Sequence, residues 1–191
     1  MIRAIIFDCF GVLTQDNWKD FWTSLPNEKL QSDARELSRK HDNGLITLDE
    51  FTEQLVELTN KPVNDVSAIF RDTGPIKNVQ LIEYIKKLKL EYKIGLVSNI
   101  GTSWIEDELL TPDEQALFDT SIYSYQVSMI KPNPEIYLLA TSQLNVEPNE
   151  CVFVDDVTEY CRAADRLGMK SIIYDTFFGF KNSLDEILSD N

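Results

Sequence analysis

The sequence predicts an α/β fold: a parallel-sheet core over residues 1–14 and 76–191, with a small helical domain inserted over residues 15–75. Three observations predict it. From Ile76 onward, short apolar runs of strand length alternate with helical periods, the pattern that produces βαβ units. Residues 15–75 read as helix, turn and helix without strands. Finally, Asp8, Ser98 with Asn99, Lys131, and Asp155 with Asp156 all stand at, or just after, the carboxyl end of an expected strand.

The first strand is the apolar run of AIIFDCFGVLT, which rises to Asp8 and turns at Gly11. In the insert, Thr47 and Glu50 have the spacing of a capping box and open the helix LDEFTEQLVELTN after the turn Asp42-Asn43-Gly44. Phe51, Leu55 and Leu58 share one face of that helix. NVQLIEYIKKLKLE then sets Leu81, Ile82, Ile85 and Leu88 at helical spacing, and KIGLVSN follows as a strand. Next come a polar helical stretch near 105–117, a short strand at 121–123 and a helix over PEIYLLATSQL. CVFVDD is a strand, TEYCRAADRLG a helix ended by Gly168, and KSIIYD a strand.

A chain of 191 residues can hold one sizeable core, or one core with a small inserted domain. Its formal charge of −14 repels phosphate backbones and anionic lipid, and no basic stripe reverses this locally, so nucleic acid and membrane are not expected partners. The longest apolar runs are strand-sized and no signal-peptide pattern opens the chain, which makes the cytoplasm the expected location. Oligomeric state leaves no mark in the sequence, although the aromatic cluster Trp18, Phe21 and Trp22 is suited to an interface, to a substrate entrance or to packing under the insert.

The three cysteines, Cys9, Cys151 and Cys161, form no close metal-binding pair and are expected to fill apolar space. A single histidine, His41, narrows the chemistry, because serine–histidine triads, cysteine–histidine dyads and histidine-rich zinc sites all require imidazole, and it reads as a solvated residue at a helix end. Catalysis therefore rests on carboxylates, hydroxyls, lysine and metal.

In an open α/β sheet, ligands bind outside the carboxyl ends of the strands, so these distant residues converge on one crevice. Neighbouring carboxylates repel unless a cation intervenes. Asp8, Asp155 and Asp156 are hard oxygen donors suited to Mg²⁺, whose coordination is commonly completed by substrate phosphate oxygens. Ser98 can donate a hydrogen bond to a phosphoryl group, and Lys131 can neutralise its charge and hold the acids in place.

This ordered set, IIFDCFGVL, GLVSN, IKPNPEIY and VFVDD, resembles the haloacid dehalogenase superfamily, in its phosphatase-type branch with a helical cap after the first strand. The resemblance implies a Rossmann-like core and hydrolysis of a small phosphorylated metabolite through an aspartyl-phosphate on Asp8. It further implies a Mg²⁺ site of Asp8, the backbone carbonyl of Phe10, Asp155 and Asp156. Ser98 and Asn99 would bind the phosphoryl group, and Lys131 would stabilise it. The insert would be the cap that excludes water and selects substrate.

One position departs from the family's phosphatases: Phe10 stands where they carry a second aspartate that protonates the leaving oxygen. Three readings stay open. The chain is a Mg²⁺-dependent phosphatase, slowed or specialised, with Glu28, Asp42 or Asp49 of the cap as possible sources of the acid; or a non-catalytic binding or regulatory protein; or a metal-independent 2-haloacid dehalogenase, whose enzymes resemble this chain in having an aromatic residue there. The paired acids of VFVDD argue against the last. A phosphorelay receiver domain has a different order of acids and lysine.

Overall fold

Five parallel strands form the sheet of the computed structural model, which describes residues 1–71 and 76–189. They are β1 (Ala4–Phe7), β2 (Lys93–Ser98), β3 (Thr120–Tyr123), β4 (Cys151–Asp155) and β5 (Lys170–Ile173), in the spatial order β3-β2-β1-β4-β5. Between β1 and β2 lie α1 (Asn17–Thr23), α2 (Glu28–Asp42), α3 (Leu48–Thr59), α4 (Val63–Arg71) and α5 (Val79–Leu88). The remaining helices are α6 (Pro112–Gln115), α7 (Ser124–Val127), α8 (Pro134–Leu144), α9 (Thr158–Arg166) and α10 (Phe177–Ser189). The expected α/β class and Rossmann-like sheet are therefore present.

Strands covered on both faces read as unbroken apolar runs, and β1 is buried at all four positions for that reason. Its alternate residues serve two cores. Ile5 and Phe7 pack with Leu81 and Ile85 of α5 and Phe180 and Leu184 of α10, whereas Ala4 and Ile6 pack with Ile136 and Tyr137 of α8 and Ala164 of α9. β1 pairs with β2 through Phe7↔Leu96 and with β4 through Phe7↔Val154. The chain thus runs to one side of β1 and returns to the other, creating a switch point at the carboxyl ends of β2, β1 and β4.

α1 to α4 build a third apolar cluster of Leu25, Ala34, Leu37, Phe51, Leu55 and Val66. The capping box that opens α3 is formed, with Glu50 N donating to Thr47 Oγ1 at 3.2 Å and Thr47 N donating to Glu50 Oε2 at 2.8 Å. The chain leaves the core and re-enters it side by side, since Thr14 pairs antiparallel with Lys77 and Thr14 Oγ1 donates to Ile76 O at 3.1 Å.

Two expectations need correction. The polar stretch near 105–117 is not one helix but a π-helical turn, Ile105–Leu109, followed by α6. Pro112 pushes Thr111 out of the helical region, and Thr111 then caps α6. His41 is not solvated: its side chain is 7% exposed, stacked on Phe51 with ring centroids 5.0 Å apart, and laid against Gly101. The polar neighbours of His41 in sequence gave no sign of this, because its burial comes from docking the end of α2 onto the sheet. Among the described residues, no helix is long and apolar enough to cross a membrane.

Candidate active site

Asp8 follows β1 and is fixed in register with β4 by its N–H, which donates to Val154 O at 2.8 Å. Ser98 ends β2 and Asp155 ends β4; the register brings Asp8 level with Asp155, with Ser98 one residue further along its strand. Lys131 enters from the segment before α8 and is 1% exposed. Its Nζ lies 2.6 Å from Asp8 Oδ1 and 2.7 Å from Asp155 Oδ2. The ammonium also sits over the rings of Tyr160, at 5.1 Å, and Phe153, at 5.7 Å.

This buried cation answers the repulsion between the two acids. Burial opposes the Lys131 charge, but Asp155 and Asp8 outweigh it and hold the ammonium well above the ordinary lysine range. Burial likewise pushes the Asp8 carboxyl up, with Lys131 drawing it back. Asn99 fixes the lysine's backbone from both sides: Lys131 N donates to Asn99 Oδ1 at 2.8 Å and Asn99 Nδ2 donates to Lys131 O at 3.0 Å.

The adjacent acids Asp155 and Asp156 have different surroundings. Asp155 is fully buried, with Oδ2 on Lys131 and Oδ1 accepting from Val157 N at 2.9 Å. Asp156, one residue on, turns towards the first loop. Gly11 has a φ of +80° there, and a Cβ at that position would stand 2.5 Å from Asp156 Cγ, so a side chain is excluded both by conformation and by space. Asp156 Oδ2 pairs with Lys19 Nζ of α1 at 2.6 Å. Its Oδ1 is buried without a hydrogen-bond partner among the described residues, as is Ser98 Oγ. Single oxygens of Asp8, Asp155 and Asp156 all lie within 4.8 Å of one another, so the acids expected to hold a cation do converge.

Above them opens a cavity of about 1090 Å³, lined by core residues Asp8, Asn99, Lys131 and Asp156 and by helical residues Trp18, Trp22, Arg35 and Asp42. The Phe10 ring also faces it, stacked on Trp104 with centroids 5.8 Å apart. Trp18 and Trp22 line the cavity while packing against the helical cluster, whereas Phe21 belongs to that cluster alone. Of the three acids considered in the insert, Glu28 and Asp49 are exposed and outside the cavity, and Asp42 is inside it. Sequence reasoning missed Lys19, which pairs with Asp156, and Tyr160, whose ring lies under the Lys131 ammonium. All three cysteines are buried and free, and burial holds the Cys9 thiol well above its ordinary value, followed by the effect of Asp8.

The fold is an α/β sheet whose switch point gathers a cluster of carboxylates around one buried lysine. The chain belongs to the haloacid dehalogenase-like hydrolases, whose family model matches residues 2–168. It is 27% identical over 206 residues to the D-ribitol-5-phosphate phosphatase of Bacteroides thetaiotaomicron, covering 99% of this chain and 100% of that protein. It is also 27% identical over 201 residues to bifunctional epoxide hydrolase 2 of Sus scrofa, covering 90% of this chain and 36% of that protein, so it spans little more than a third of that relative. Among solved structures, a haloacid dehalogenase family enzyme from Bacteroides thetaiotaomicron, in complex with magnesium and inorganic phosphate, shares the fold with a TM-score of 0.69. That match is 24% identical and covers 93% of this chain and 96% of that one.

Proposed function

We propose that this hydrolase is a Mg²⁺-dependent phosphatase of small phosphorylated metabolites, with residues 15–75 acting as its cap. The observation that carries the reading is a pair of buried oxygens at the carboxyl ends of β2 and β4, unpartnered among the described residues: Asp156 Oδ1 suits a cation, and Ser98 Oγ suits a phosphoryl oxygen. The phosphatase relative named above, aligned over its whole length, supports the substrate class.

Asp8, the backbone carbonyl of Phe10 and Asp156 would hold the ion, with Asp155 in the same cluster. When bound, Mg²⁺ supplies positive charge that keeps Asp8 ionised and offsets the phosphoryl oxygens. The chain's own groups do the rest. Ser98 Oγ donates to one phosphoryl oxygen, and Asn99 contributes by holding Lys131 against it. A carboxylate oxygen of Asp8 forms a bond to phosphorus as the ester oxygen leaves with the bonding pair. Water then attacks phosphorus, the Asp8–phosphorus bond breaks, and inorganic phosphate is released. Lys131 steadies the negative charge in both steps, and the helices overhead exclude bulk water.

A metal-independent dehalogenase has the Phe10 ring in its favour, but it gives the buried Asp156 Oδ1 nothing to bind. Phosphate release from a panel of phosphorylated metabolites, with Mg²⁺ and then with chelator, tests the reading. Release that requires Mg²⁺ and disappears in Asp8→Asn is the expected result. Release from folded Asp8→Asn at the wild-type rate, or halide release that survives chelation, would overturn it.

A further inference from the structure

The reaction above leaves one role unassigned: with Phe10 in the first loop, no neighbour of Asp8 there can protonate the departing oxygen. We propose that Asp42, in the last turn of α2, is the catalytic acid and base, its carboxyl touching the leaving oxygen of the bound ester. This rests on the phosphatase reading.

Geometry selects Asp42. It faces the cavity that contains Asp8 and Lys131, from the helical side. The turn that carries it is fastened to the sheet. Ser124 Oγ donates to Asp42 O at 2.6 Å, and the neighbouring His41 ring lies so close to Gly101 that a Cβ there would be 2.3 Å from it. The side chain is 19% exposed; Oδ2 accepts from Ser38 Oγ at 3.2 Å, and Oδ1 is 3.8 Å from His41 Nδ1. Among the described residues no lysine or arginine forms an ion pair with it, so one oxygen is left for a substrate.

The competing acids are less suitable. Asp16 also lines the cavity, but its Oδ1 caps α1 by accepting from Lys19 N at 2.9 Å, and it sits in the field of Asp156, one of the proposed metal ligands. Glu36, Glu108 and Glu159 line the cavity but are exposed.

The electrostatics agree with the geometry. Burial pushes the Asp42 carboxyl up to about 7; Ser38 and Lys131 oppose the rise and Asp16 adds to it. Tyr160 of α9 faces it as well, and burial lowers the His41 pKa, keeping that ring neutral. An acid poised near the working pH serves both half-reactions. As Asp8 bonds to phosphorus and the ester P–O bond breaks, protonated Asp42 gives its proton to the leaving oxygen, releasing an alcohol. The resulting carboxylate then takes a proton from the water that attacks the phosphoryl-Asp8, restoring both side chains as phosphate departs.

The test compares wild type with Asp42→Asn on an alkyl ester, glycerol phosphate, and an aryl ester, p-nitrophenyl phosphate, in the presence of Mg²⁺. An alkoxide needs a proton to leave, whereas nitrophenolate does not. The variant should lose about 10²–10⁴-fold in kcat/KM on the alkyl ester and under about tenfold on the aryl ester. Because the readout is a ratio within one sample, partial misfolding does not mimic it. Wild-type kcat/KM for the alkyl ester should fall above about pH 7, where Asp42 has lost its proton, and this limb should vanish in the variant. Equal losses on the two esters, or an unchanged pH limb, would overturn the assignment of Asp42 and leave the phosphatase reading standing. A wild type that releases phosphate from neither ester would overturn both.

Discussion

At the residue scale, the chemistry turns on how three buried charges are balanced. Lys131 bridges Asp8 and Asp155 with contacts of 2.6 and 2.7 Å, and removing it leaves two desolvated carboxylates without the cation that joins them. Lys131→Met should cost roughly 3–5 kcal/mol in urea unfolding. Unchanged stability would contradict the bridging role. Asp42 makes a different prediction, because burial lifts its carboxyl in the folded state to about 7, above its ordinary value of 3.8. Its folded form keeps a proton that the unfolded chain loses, so its contribution is most favourable below about pH 4 and declines as pH rises to about 7. Stability should therefore drop by up to about 1.4 kcal/mol per pH unit across that window in wild type, and this component should be missing from Asp42→Asn. Parallel pH profiles for the two proteins would count against it. Phe10→Asp supplies an acid in the first loop; it should raise alkyl-ester turnover, and most clearly in the Asp42→Asn background. No gain in the folded double variant would mean that the missing proton is not the limitation.

At the element scale, the strand ends were legible because apolar runs that finish in polar residues declare both the strand and its exit. Thr47 and Glu50 likewise declared the start of α3, since a capping box is local in sequence. The difference between Asp155 and Asp156 was not legible: alternation along an extended chain sends one to Lys131 and the other to Gly11, and only the packed sheet says which. The docking of α1 and α2 was hidden for the same reason. Periodicity identifies the apolar face of a helix, but the contacts of Lys19 with Asp156 and of His41 with Gly101 depend on elements far apart in sequence. The second contact predicts that Gly101→Ala, whose Cβ would press on the His41 ring, costs about 1–3 kcal/mol and lowers alkyl-ester turnover by displacing Asp42. Full stability and full activity in that variant would show that the α2 turn does not need its close seat.

At the scale of the whole molecule, the sheet and the helical segment divide the work. The sheet's switch point gathers Asp8, Ser98, Lys131 and the two terminal acids from four separate stretches, and the helices complete a cavity of about 1090 Å³ over them. The proposed mechanism asks a protein of formal charge −14 to receive an anion, so the local cations Lys131 and Lys19, together with bound Mg²⁺, would have to reverse the field where it matters. The order of motifs made the core visible in advance, whereas the far side of the cavity comes from helices whose orientation only the assembled fold reveals. The central claim is that Asp8 carries the phosphoryl group. Rapid acid quench of wild type turning over a phosphate ester with Mg²⁺, followed by peptide mapping, tests it directly. A phosphoryl group on Asp8, absent from Asp8→Asn and from the chelated enzyme, is the predicted result; turnover that proceeds with Asp8 unmodified, or at an undiminished rate in Asp8→Asn, would contradict it.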